Sequence, residues 1–155
     1  MMPRGWVLAL AGLGAATAVA AQDLKSPSAD QYVPRLGDIM SAAQTRHQKL
    51  WLAGKAQNWE LAAFELRQLK ASLIEAAMFY SGIPVSNVTT LEPSLQATSD
   101  AIAARDGRKF AKALGDLTEG CNACHRSMAR SFVVIKVPSD PQQFGNQQFA
   151  PPAKP

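Results

Sequence analysis

Five consecutive residues late in the chain, Cys121-Asn122-Ala123-Cys124-His125, place two thiols and an imidazole at the spacing of c-type haem attachment. On a helix, positions 121 and 124 share a face, so both sulfurs can form thioethers with the two vinyl groups of one haem. His125 sits on the adjacent edge, where its imidazole can reach the iron as proximal ligand. The chain has only 2 Cys and 2 His. One covalently attached haem c uses both thiols and one histidine, and leaves His47 over.

Three other chemistries use the same residue types. A thioredoxin-like redox pair belongs at a helix N-terminus in a βαβ unit, whereas this pair falls deep in a late helical pattern. A zinc site needs Cys121, Cys124, His125 and His47 to converge, at no standard spacing. A disulfide between neighbours three apart is strained and closes almost no loop. Haem attachment explains the five residues best.

Four helical patterns position them, with no convincing alternating strand. The first covers residues 34–53, with Leu36, Ile39, Met40, Ala43, His47 and Leu50 along one face. Pro34 suits its first turn and Gly54 the position just past its end. The second, 59–80, starts from Asn58 as N-cap and carries Ala62, Leu66, Leu69, Leu73, Ala76 and Tyr80 inward. A turn-rich link over 81–89 leads to the third, 90–105, capped by Thr90, with Leu91, Leu95, Thr98 and Ile102 inward. The fourth, 108–132, follows Asp106-Gly107. Its stripe is Phe110, Leu114, Leu117, Cys121, Cys124 and Met128, which turns the cysteines toward the interior. Gly120 and Gly115 each cost roughly 1 kcal/mol in a helix relative to Ala. Either they admit a haem edge or they are simply tolerated. Four helices with mostly short loops predict an all-α, antiparallel up-down four-helix bundle over residues 34–137.

The ends read differently. Residues 1–21 have the form of a cleaved secretory signal, with Arg4, an apolar run and Ala18-Val19-Ala20 before the cut. Residues 22–33 are a polar lead-in. Residues 138–155 hold five prolines and four glutamines and cannot continue a helix. They form either a disordered tail or a strap anchored by Phe144 and Phe149. The expected location is the periplasm, with no stable membrane insertion after cleavage. Of the formal charge of +4, Arg4 contributes one, so the mature chain carries +3. That is no argument for nucleic acid.

This organisation resembles the class II c-type cytochromes, the high-spin cytochromes c′ and their low-spin relatives. The resemblance spans about residues 32–132, and its one specific motif is Cys121-x-x-Cys124-His125. It implies a haem in the bundle core with His125 as proximal ligand. On the opposite face it implies a first-helix side chain, apolar in the high-spin proteins and methionine in the low-spin ones. It also implies an arginine near the start of that helix for a haem propionate, and Arg35 occupies a comparable place. The proline-rich tail departs from the family, as does Met128-Ala129, where an aromatic and a basic residue often stand.

The sixth position on iron separates electron transfer from gas binding. Met40 and His47 share a face but differ in height by about 10 Å. Measured from the end shared by Gly54 and Gly107, His125 lies about 27 Å along its helix, Met40 about 21 Å and His47 about 10 Å. This ruler favours Met40. His47, on an otherwise apolar face, is either a ligand or a boundary histidine bonded to a carbonyl or propionate.

Trp51, Trp59 and Phe64 are expected to pack the first inter-helix turn. Arg105, Arg108, Lys109 and Lys112 form a solvated face that could dock an acidic redox partner. No hydrolase triad or phosphate loop is present, so no catalytic residue is assigned and no enzyme is expected. The reading is a periplasmic monohaem electron carrier serving a redox partner protein, with monomer and homodimer both open. The alternatives are a five-coordinate haem protein binding NO or CO, and a haem-containing interaction module.

Overall fold

The structure is a computed structural model that describes residues 32–138, 147 and 149–151. The signal expected over 1–21, most of the lead-in and most of the tail, Phe144 included, lie outside these residues. Among the described residues the chain is all-α: α1 (Leu36–Lys55), α2 (Trp59–Phe79), the short α3 (Val85–Thr89), α4 (Glu92–Ala103) and α5 (Gly107–Ser127), with no strand. None of these helices is long and apolar enough to cross a membrane.

Two polar side chains start the longer helices. Asn58 accepts the Leu61 amide at 3.2 Å, and Asp106 accepts those of Arg108 and Lys109, both at 3.0 Å. Each satisfies donors that the first turn leaves without an internal partner. Thr90 does not cap the third long helix as expected. The link before it coils into α3, and the Thr90 hydroxyl donates to the Ser86 carbonyl at 2.7 Å, closing that turn. α4 then starts after Leu91 with no side-chain cap.

The inward stripes are buried as their spacing requires. Leu50, Ala62, Leu69, Leu95, Thr98 and Leu114 are all at most 3 % exposed. α1 packs along α2 and α4 along α5, while α2 meets α4 and α1 meets α5. Phe110 wedges this end: Trp51 stacks on it at 6.3 Å and Trp59 meets it edge-on at 5.9 Å. Phe64, expected in the same cluster, faces solvent instead. From the tail, Phe149 packs against the core.

Glycine's role at the end of α1 also differs from the expectation. Gly54 lies inside the helix and is buried, and the Phe110 ring occupies the space a Cβ would need. The stop is Gln57, at φ 57°, with its amide on the Gly54 carbonyl and the Asn58 amide on that of Ala53. Arg105 ends α4 the same way, at φ 52°. These are Schellman stops made without glycine.

The largest difference is at the end of the last helix, which stops at Ser127 rather than Phe132. Ala129 turns left-handed at φ 54°, the Ala129 amide bonds the Arg126 carbonyl, and the Arg130 amide bonds that of His125 at 2.7 Å. Residues 130–137 then fold back along the last turns of α5.

Two glycines on helices should respond in opposite directions to alanine. In urea unfolding, Gly54→Ala should lose about 2 kcal/mol, because its methyl overpacks against Phe110. Gly115→Ala, with nothing within 4 Å of the new Cβ, should gain about 1 kcal/mol.

Candidate functional site

A cavity of about 510 Å³ opens between α1, α2, the 83–91 segment, α5 and the returning chain. Its walls are mostly apolar, with Leu36, Leu69, Leu73, Val88 and Leu91 among them. Cys121, Cys124 and His125 all line it, because their positions on the last two turns of α5 continue the face that buries Phe110, Leu114 and Leu117. Met40 and His47 line it from α1. The volume falls in the ordinary range of small-molecule and cofactor sites.

Both thiols are free. Burial pushes the Cys121 thiol up to about 11, aided by the neighbouring Cys124. Burial also raises Cys124, partly offset by the Asn87 amide. They are therefore protonated near neutral pH, which is the reverse of an activated redox pair.

The returning chain holds the imidazole. His125 Nδ1 lies 2.9 Å from the Val133 carbonyl. A carbonyl only accepts, so Nδ1 carries a proton, and in the neutral ring the lone pair is on Nε2. The segment that carries Val133 is tied two residues further on, at Ile135, by Asn122, about one turn before His125 on α5. The Asn122 amide nitrogen donates to the Ile135 carbonyl at 2.9 Å, and the Ile135 amide donates to Asn122 Oδ1 at 2.8 Å. Asn122 was not singled out from the sequence, and no spacing rule would have found it. Its role depends on the chain reversal at Ala129, seven residues later.

His47 is 2 % exposed, with Nε2 2.8 Å from Thr118 Oγ1. The Thr118 hydroxyl donates to the Leu114 carbonyl at 2.7 Å, so the proton between them belongs to His47 Nε2. Desolvation lowers the His47 pKa from 6.5 to about 4, so it is neutral at physiological pH. Met40 is half-buried, and among the described residues nothing hydrogen-bonds its thioether.

Arg35 sits at the exposed start of α1, 2.9 Å from Asp38, and does not line the cavity. Arg130, which no spacing in the sequence marks, does line it. Gly120 was expected either to admit a haem edge or to be merely tolerated, and it is not merely tolerated. The Leu91 side chain occupies the space its Cβ would need, so Gly120 seats α4 against α5. Gly115 faces open space.

Among the described residues, no three His, Cys, Asp or Glu converge to hold a metal ion. The four-ligand zinc arrangement is therefore not assembled. A flat apolar ring bound through two thioethers and one imidazole fits these residues. The two sulfurs share a wall, the cavity is apolar, and the Nε2 of His125 is uncommitted. Comparison with protein families, curated proteins and solved structures finds no match to this chain.

Two measurements follow from the titrating groups. Between pH 6.5 and about 4 the unfolded chain takes up a proton that folded His47 refuses, so stability is complete above pH 6.5 and falls as pH drops. The loss should approach about 3 kcal/mol at pH 4. In urea titrations, His47→Gln should flatten that part of the pH profile, and an unchanged slope would contradict the assignment. In the haem-free chain at pH 8, Cys121 should alkylate at least about tenfold more slowly than in the urea-unfolded chain. Its rate should keep rising toward pH 11.

Proposed function

We propose that this protein is an exported monohaem c-type cytochrome, similar to the class II group, that carries electrons to or from a redox partner protein. The observation that carries the reading is the convergence of Cys121, Cys124 and His125 on one apolar cavity of about 510 Å³, with His125 Nδ1 already spent on Val133. The four longer helices are read as an up-down antiparallel bundle. Arg46 meets Glu65, the Tyr80 hydroxyl donates to the Pro34 carbonyl, and Leu91 fills the space beside Gly120. These pairs are what antiparallel neighbours bring together.

In this reading haem c supplies a one-electron iron couple once bound. Cys121 and Cys124 hold the ring through thioethers, which need no thiolate afterwards and suit their buried place. His125 offers Nε2 to the metal, while the Val133 carbonyl fixes its tautomer and raises its basicity. Leu69, Leu73, Leu91 and their neighbours exclude water. Arg130, the one charged side chain in the cavity wall among the described residues, is the nearer partner for a propionate, with Arg35 the outer one. Of the two candidates for the sixth position, Met40 keeps an uncommitted sulfur, whereas His47 would have to give up Thr118. Met40 is therefore the preferred ligand. Export through the 1–21 signal would bring the chain to the periplasm, where such attachment is made.

The reduced optical spectrum with and without CO tests this. Low-spin α and β bands that CO leaves unchanged are expected, and Met40→Ala should make the site high-spin and CO-reactive while His47→Ala leaves it low-spin. A parent spectrum that is already high-spin and shifts with CO would replace the carrier with a gas-binding protein. A chain without a haem spectrum after expression with attachment machinery would end the reading.

A further inference from the structure

Asn122 stands at a place in the attachment motif where no side chain is required, yet it is 7 % exposed and makes two hydrogen bonds. Both go to one residue, Ile135, whose amide and carbonyl are each satisfied by the same carboxamide. This is the pairing a neighbouring strand would give, supplied here by a side chain. Without it, residues 130–137 have few ties to the helix they cover. Phe132 is 78 % exposed and Val134 60 %, so apolar burial contributes little to holding the segment.

Between the turn at Ala129 and the clamp at Ile135 lies Val133, whose carbonyl receives the His125 Nδ1 proton at 2.9 Å. The two ends of this short return are therefore fixed, one by a backbone stop and the other by Asn122. The carbonyl between them is placed 2.9 Å from the imidazole nitrogen.

We propose that Asn122 is a positioning residue for the proximal ligand: by clamping Ile135 it holds the Val133 carbonyl on His125 Nδ1, and so sets the orientation and donor strength of the imidazole. The proposal rests on the haem reading above. A fixed acceptor on Nδ1 makes Nε2 a stronger donor, which favours the oxidised iron. Loosening the clamp should weaken that donor and raise the reduction potential. It should also free the Nδ1 proton to exchange with water.

The experiment uses the full chain with two variants. Asn122→Ala removes both bonds. Ile135→Pro lies outside every helix and removes the Ile135 amide while leaving Asn122 in place; because it also replaces a side chain that lines the cavity, its effect counts only where Asn122→Ala shows the same one. In the haem-free protein, hydrogen exchange should show the Ile135 amide protected in the parent and unprotected in Asn122→Ala. In the haem-loaded protein, both variants should show a higher reduction potential and faster exchange of the His125 ring proton by NMR, with the ligation state unchanged. If protection is lost but potential and ring-proton exchange stay at parental values, Asn122 is only a structural tie and the proposal is wrong. An unprotected Ile135 amide in the parent also overturns it. A parent that takes up no haem overturns the functional reading and this role with it, and the exchange data would still report whether the clamp exists.

Discussion

An imidazole presents a lone pair in a fixed direction only when its other nitrogen has a fixed place for its proton. In this chain that place is the Val133 carbonyl, 2.9 Å from His125 Nδ1. The bond requires the chain to leave α5 and reverse within a few residues, which a continuing helix forbids. Ala129 accepts a left-handed conformation at about 1–2 kcal/mol, and the two backbone bonds of the Schellman stop offset part of that cost. The returning segment then completes one wall of the cavity through Phe132, Val133 and Ile135. A single hydrogen bond thus ties the end of the last helix, the shape of the cavity and the tautomer of its histidine together.

The opposite end of the molecule supplies the frame. Phe110 is buried against Gly54 and between two tryptophans, which locks α1 to the start of α5. Gly120 and Leu91 do the same between α4 and α5 next to the cysteines. Polar groups inside this frame are paired. His47 donates to Thr118, and the buried Glu65 carboxylate is met by Arg46 at 3.3 Å. Buried polar groups left alone would each cost a few kcal/mol, so these pairs fix the register of α1 against α5 and α2. Register matters here because Met40 and His47 are two turns apart. Both line the cavity, and a slide of α1 by two turns would be needed to put one in the other's place.

Much of this was legible because burial imposes a period. The stripe Leu91, Leu95, Thr98 and Ile102 is buried as its spacing demands, and Asn58 caps α2 through the expected side-chain bond. The misreadings share one cause: local patterns do not show where a chain turns back. Met128 and Phe132 prolong the apolar period of α5, so the stop at Ala129 leaves no trace in hydrophobicity. Gly54 looks like a terminator by type and serves as a notch for a ring, while Gln57, Arg105 and Ala129 do the terminating. Thr90 looks like the cap of a long helix, but a short one ends on it first. Asn122 and Arg130 acquire their roles only from the return that follows Ala129.

One chemical fact decides the role of the five residues 121–125: whether Cys121 and Cys124 carry a haem through thioether bonds. Intact-mass analysis of the chain exported from cells that carry out c-type attachment, unfolded in acid so that any non-covalent haem is lost, measures it directly. The expected result is a chain heavier by one haem, with neither cysteine available to a thiol reagent. An unmodified mass with two free thiols would contradict it.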